Sequence, residues 1–233
     1  MNGDVSKKDT VVKPGDLSRK IAVSGFSSGL EFTEKITMEC SVVYWGLTYL
    51  SRALRPTRTE RILEILKPLY EQIYLRVSDR DGMIDRFGYD EVAAWFPRVY
   101  SSKDKLTVDR AMDSATEVMH WFYSQYKGSP LLKGVGGGMD LNVGIDAGPV
   151  AMVHLRSPYQ NEIVLMGTTV TMASNIQKAA GPGEMRIGSE AARASNYYRM
   201  YQDYIPTNQH TGFVAVEFDW REYADKSSWI QTD

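Results

Sequence analysis

A single cysteine, Cys40, stands among 233 residues. No disulfide can form within the chain, and a reducing compartment suits it. The three histidines, His120, His154 and His210, are too scattered for a ligand spacing, so no zinc site is expected. Neither charge sign is in excess: 27 Lys and Arg stand against 29 Asp and Glu, a net charge of −2. With an isoelectric point near 6.0, no basic footprint points to nucleic acid. No apolar run approaches the ~18–20 residues that a bilayer-spanning helix needs. The opening MNGDVSKKDT has no apolar stretch, so no secretory leader is expected. A soluble, cytoplasmic domain is the expectation. The hydrophobic fraction of 43% and charged fraction of 24% are those of a globular chain with a substantial core.

Residues 1–30, polar and broken by Pro14, Gly15 and the Gly25–Gly29 stretch, read as a flexible or partner-bound arm. Residues 31–200 form the main domain, and 201–233 supply a last strand and tail to it. Lys35–Trp45 is rich in β-branched and aromatic residues and predicts a strand, ended by Gly46. Ile62, Ile65, Leu66, Leu69, Ile73 and Val77 recur at helical spacing over 57–77, after a cap at Thr57 or Thr59. Pro68 inside that pattern predicts a kink or a break. Asp81-Gly82 leads into a hairpin with arms Met83–Phe87 and Glu91–Phe96. A second helical pattern spans 107–126, closed by Gly128 and Pro130. A strand is expected at Leu141–Ile145, a polar loop at His154–Tyr159 and a short strand at Glu162–Leu165. Gly167–Ala180 reads as a helix stopped by Gly181-Pro182-Gly183. A strand at Met185–Ile187, a short helix over 189–196 and a β-rich run through Phe213, Val214, Val216 and Phe218 complete the chain. Alternating helices and strands around a tight hairpin indicate an α/β sandwich, a mixed or antiparallel sheet covered by helices.

Three ordered blocks stand out. The first is Val43-Tyr44-Trp45-Gly46-Leu47-Thr48. The second is Asp85-Arg86-Phe87-Gly88-Tyr89-Asp90. The third comprises Gly144–Val150, Gly167–Asn175 and the Gly181–Glu184 turn. In order and spacing, over roughly 36–190, they resemble the class III nucleotide cyclase catalytic domain. The resemblance implies a ferredoxin-like βαββαβ core with a mixed, mostly antiparallel sheet. It also implies a site built at a two-chain interface, whether a homodimer or a heterodimer with another cyclase-like chain. In that family two metal ions, magnesium or manganese, activate the ribose 3′-hydroxyl of a nucleoside triphosphate and neutralise the triphosphate. Two aspartates hold both ions, since hard cations require oxygen ligands.

Matched position by position, the resemblance implies losses. The first metal aspartate is Val43, and the second is matched by Asp90, with the preceding glycine one place early. Glu39, four residues back on the same strand face, is about 13 Å away and too far to substitute. The reach of Asp85 on the neighbouring arm is open. The base-reading lysine is Arg86, still a donor, and its partner aspartate is Val164. The ribose-binding asparagine is Thr171, and the transition-state arginine is Asn175, which removes a balancing cation. Gly46, Leu47 and Thr48 match the phosphate loop, where backbone N–H groups can cradle an anion.

Each feature also has a plain structural reading. Asp90 can be a solvated turn carboxylate, and Arg86 can pair with Glu91 or Asp85. Gly46–Thr48 can be a simple strand-to-helix turn. The glycines of 134–138 precede a strand rather than a helix, which fails the dinucleotide fingerprint. Cys40 reads as a small buried hydrophobe, and His120 as helical packing, with the other two histidines in loops. Trp45 and Trp95 fall near the site by resemblance, where their bulk would fill a nucleotide pocket. Three functions stay open. One is a dimerising pseudo-cyclase that binds nucleotide or regulates. Another is an active cyclase, similar to stand-alone bacterial pyrimidine cyclases of antiphage defence, with the Arg86 fork reading uracil or cytosine. The third is a partner module of another cyclase chain that binds no nucleotide.

Overall fold

The computed structural model describes residues 31–50, 59–98, 106–133, 138–156, 161–197 and 215–227. The expected arm at 1–30, His210 and the glycines at 134–137 lie outside the described residues. Among the described residues seven strands form one sheet, ordered β2-β3-β1-β4-β6-β7, with β5 also pairing β4. Strand β1 (Glu31–Thr48) lies at the centre, antiparallel to both β3 (Glu91–Pro97) and β4 (Asp140–Arg156). The far edge of β4 is shared. Strand β6 (Met185–Gly188) pairs parallel with its start, and β5 (Asn161–Met166) antiparallel with its end. Strand β2 (Met83–Phe87) closes one edge through β3, and β7 (Ala215–Phe218) the other through β6.

Residue parity on β1 divides the core, because successive side chains of a strand point to opposite faces. Val43, Trp45 and Leu47 enter the larger cluster beneath helices α1 (Thr59–Ser78) and α2 (Thr107–Trp121). Met38, Cys40, Val42 and Tyr44 enter a smaller cluster on the opposite face, where they meet Ala173 of helix α3 (Thr168–Ala179). Gly144 lets that helix approach. A Cβ there would lie 2.2 Å from the Gln177 backbone nitrogen and 2.5 Å from the Ala173 carbonyl oxygen. Two short helices, α4 (Ser189–Ala194) and α5 (Trp220–Lys226), complete the α2 side.

Helix α2 carries Asp109, Asp113 and Glu117 one turn apart, the two aspartates buried and Glu117 half-buried. The Ser195 hydroxyl and the Asn196 side chain donate to Asp109, and the Tyr223 hydroxyl donates to Asp113 at 2.7 Å. Arg80 pairs with Glu117 at 2.7 Å. Buried carboxylates need such partners, and these tie α2 to the chain after α4, to α5 and to the end of α1.

Several local expectations are corrected. Gly46 does not end β1; flanked by pairings to Glu91 and Asn142, it stays in the ladder to Thr48. Pro68 does not break α1; the carbonyl it leaves without a helical donor belongs to the exposed Glu64. The strand expected at Leu141–Ile145 runs to Arg156 because β1 pairs with it along its whole length. His154 is therefore a strand residue, 4% exposed, bonded to Asn161 at 2.5 Å, rather than a loop residue. The helix expected to Tyr126 widens after Trp121 into a π turn over Phe122–Tyr126. After Phe218 the polar tail forms α5, started by Asp219, whose carboxylate accepts from the Glu222 N–H.

Candidate functional site

The first two sequence blocks meet at the end of β1, and the third runs back along it, Gly144 opposite Tyr44 and Val150 opposite Met38. Val43 pairs with Ala94 on one side and Ile145 on the other, and is fully buried in the core beneath α1 and α2. The β2–β3 turn meets β1 further along. Gly46 pairs with Glu91, and the Leu47 N–H donates to the Asp90 carbonyl at 2.7 Å. Asp90 is therefore offset from Ala94, the residue opposite Val43, by four positions, about 13 Å at strand rise. Its side chain is exposed, while residue 43 points into the core. The two positions that the resemblance pairs as metal ligands are not brought together. Among the described residues no group of three or more His, Cys, Asp or Glu side chains is placed to hold a metal ion.

The Gly46–Thr48 stretch is occupied by the protein itself. A Cβ at Gly46 would sit 1.7 Å from the Gln177 Nε2 atom, so the space that glycine leaves holds the Gln177 amide. That amide donates to Asn142 Oδ1 at 2.7 Å, and Asn142 Nδ2 donates to the carbonyl oxygens of Gln177 and Ala180 at the end of α3. The Leu47 N–H is taken by Asp90. Thr48 leaves its hydroxyl oxygen buried without a hydrogen-bond partner.

Arg86 on β2 is half exposed and bound locally. It reaches Glu91 at 2.9 Å, Asp85 at 3.9 Å and the Tyr44 hydroxyl at 3.2 Å, with its guanidinium carbon 5.4 Å from the Tyr44 ring centre. Burial pushes the Asp85 carboxyl above its ordinary range. The Arg86 charge draws it back and Glu162 of β5 pushes it further up. Val164 lies half-buried on β5 opposite Val153. Thr171 and Asn175 sit one turn apart on α3, where the Thr171 hydroxyl donates back to the Gly167 carbonyl at 3.4 Å. Among the described residues no hydrogen bond or ion pair joins Arg86 to Val164, Thr171 or Asn175. Trp45 and Trp95 are buried on opposite faces of the sheet. Cys40 is 1% exposed, and burial pushes its thiol up to about 12.

Sequence reasoning passed over two groups here. Asn142 and Gln177 carry no motif; an Asn in a strand and a Gln in a helix look like surface residues until the sheet and α3 are docked. Asp146, inside the GIDAGPV block, is half-buried with its Oδ1 only 2.2 Å from where a Gly188 Cβ would stand. Burial pushes its carboxyl up to about 6, against the pull of the Ala147 N–H that donates to it. A folded-state value above the ordinary 3.8 means that the protonated form favours the fold. That stability is present below about pH 4 and is lost as the pH rises through about 6. Asp146→Asn is expected to raise stability at pH 7.5 by about 1 kcal/mol after allowance for partial exposure, a few degrees in Tm. The gain should vanish near pH 4; thermal melts at both pH values check this.

No protein-family model matches the chain, and no curated protein matches it in sequence. Solved structures do match. The guanylyl cyclase Cya2 superimposes with a TM-score of 0.63 at 16% identity, over 79% of this chain and 92% of that one. The adenylyl cyclase CyaB from P. aeruginosa gives 0.60 at 18% identity, over 79% and 94%. A dimeric guanylyl cyclase domain of the RhoGC fusion protein from the aquatic fungus Blastocladiella emersonii gives 0.59 at 15% identity, over 79% and 97%. At these identities the likeness is one of fold: the chain has the fold of a class III nucleotide cyclase catalytic domain.

Proposed function

We propose that this chain is a pseudo-cyclase: a cyclase-fold domain that has lost two-metal cyclisation and acts by binding, as one half of a cyclase-like pair. The observation that carries the reading is the mismatch between positions 43 and 90. Two metals sharing two carboxylates need both side chains at one place. Val43 offers a buried isopropyl group, and Asp90 an exposed carboxylate four positions away. The residues present do not fit the magnesium or manganese pair of the fold family. Thr171 and Asn175 supply no cation for developing charge, and the Arg86 fork is engaged by Glu91 and Tyr44. What these residues retain is the capacity to bind. Arg86 can exchange Glu91 for a base or phosphate at modest cost, since half-exposed ion pairs are worth about 0–1 kcal/mol.

Incubation of the purified chain with ATP, GTP, CTP and UTP in manganese buffer is expected to yield no cyclic monophosphate above the protein-free control by mass spectrometry. A cyclic product from any base, lost in Asp90→Ala, would overturn the reading. Calorimetric titration with the same nucleotides separates the two kinds of pseudo-cyclase. Saturable binding that weakens in Arg86→Ala supports a nucleotide-binding domain. Heatless mixing supports a partner module.

A further inference from the structure

Helix α1 is apolar on two sides. Ile65, Leu69, Ile73 and Val77 are fully buried against the sheet. On the outer side Leu63, Tyr70 and Tyr74 recur at i, i+7 and i+11, a single stripe along the helix. Leu63 is 64% and Tyr74 55% exposed. Phe87, at the end of β2 and 47% exposed, extends the stripe, its ring centre 5.2 Å from that of Tyr70. Between them lies a surface groove of about 670 Å³. Its charged lining is Glu60, Glu64 and Glu71 against Lys67 alone. Glu60 has no ion pair among the described residues, Glu64 pairs with Arg61 at 2.8 Å, and the Lys67–Glu71 pair is loose at 3.5 Å.

We propose that this groove docks an amphipathic helix of a partner protein whose apolar stripe is flanked by lysine and arginine. The inference is independent of whether the domain turns over nucleotide. Contiguous exposed apolar surface with a polar rim marks an interaction site, and a shallow groove beside a helix suits a second helix. From Glu60 to Tyr74 α1 rises about 21 Å, room for four turns of a partner packed along it. Tyrosine and phenylalanine are residue types that anchor such contacts, and Glu60, with the exposed pairs of Glu64 and Glu71 that a visitor's cations can exchange at little cost, complements a basic rim on the visitor. The groove is also joined to the hairpin turn. The Tyr70 hydroxyl donates to the Gly88 carbonyl at 2.5 Å, and Asp90 of the same turn accepts from the Leu47 N–H. An occupant resting on Tyr70 and Phe87 therefore bears on the end of β1.

The test uses the full chain and a fluorescein-labelled leucine–lysine peptide, its leucines at i, i+3, i+4 and i+7, long enough to cover the groove. Its twin carries glutamate in place of lysine. Polarisation titrations are expected to saturate for the lysine peptide and to run about tenfold weaker for the glutamate twin. Leu63→Ser with Tyr74→Ser, both exposed positions, with retention of the fold checked by circular dichroism, should lose about tenfold. Hydrogen exchange at 87–91 should slow on binding. Equal affinity for the two peptides, or for the wild type and the double variant, would overturn the proposal. So would either of two other occupants. A wild-type dimer in sedimentation that the double variant dissolves would assign the groove to a second copy. Displacement of the probe by a synthetic peptide of residues 1–30 would assign it to the chain's own amino-terminal segment.

Discussion

Val43→Asp is expected to lose about 3–5 kcal/mol of stability at pH 7.5 and to gain no cyclase activity. Position 43 is fully buried, with Ala94 and Ile145 beside it in the sheet and apolar residues of α1 and α2 in the same cluster. The side chains of that cluster are apolar. An unpaired carboxylate there must take up a proton or drive local unfolding, since an isolated buried charge costs far more than a neutral group. Against a total stability of about 5–15 kcal/mol the loss is severe. Burial raises the new carboxyl's pKa, so the deficit should be smallest near pH 5 and grow as the pH rises. Val43→Ala, which only opens a small cavity, should cost about 2 kcal/mol at every pH. Urea denaturation of the three proteins at pH 5 and 7.5 makes the comparison. If Val43→Asp unfolds at the wild-type midpoint and then cyclises a nucleotide with manganese, the burial of this position does not exclude a metal, and the pseudo-cyclase reading fails with it.

Gly144→Ala is expected to undock α3, at a cost of about 3 kcal/mol or more. The new methyl would meet only backbone: the Gln177 nitrogen at 2.2 Å, the Ala173 carbonyl oxygen at 2.5 Å and the Gln177 Cα at 2.6 Å. A helix axis cannot yield as a side chain can, so α3 must lift from β4. Gly46→Ala is the control. Its methyl would meet the far end of the Gln177 side chain and Asn142 Oδ1. Gln177 can swing away at the loss of its 2.7 Å bond to Asn142, so about 1–2 kcal/mol is expected. Thermal unfolding ranks the two, and hydrogen exchange in 168–179 should rise in Gly144→Ala. Equal stability of Gly144→Ala and wild type would mean that α3 does not rest on β4 as described.

Both results turn on contacts that local patterns foreshadow unevenly. The hairpin was legible because Asp81-Gly82 ends the helical pattern and two short runs follow it, and the arms fall at Met83–Phe87 and Glu91–Pro97. Helix α1 was legible from its 3.6-residue period. Helix α3 was legible from the glycines at both ends. The order of these elements, with the three motif blocks, carried the ferredoxin-like α/β sandwich and the likeness to cyclase domains. Punctuation misled where long-range pairing outweighed it. Gly46 sits inside β1 because its neighbours on the ladder, Glu91 and Asn142, hold it there.

By itself, then, the sequence determined the element types, the fold class and the identity of the side chains at Val43, Arg86, Asp90, Val164, Thr171 and Asn175, because each is written locally. The tertiary structure alone decided what those side chains meet. Register between β1 and β3 separated Asp90 from position 43, and the docking of α3 filled the space beside Gly46 with the Gln177 amide. The packing of α1 left Leu63 and Tyr74 facing outward. Register, docking and exposure are sums over residues far apart in the chain, and no window of sequence contains them.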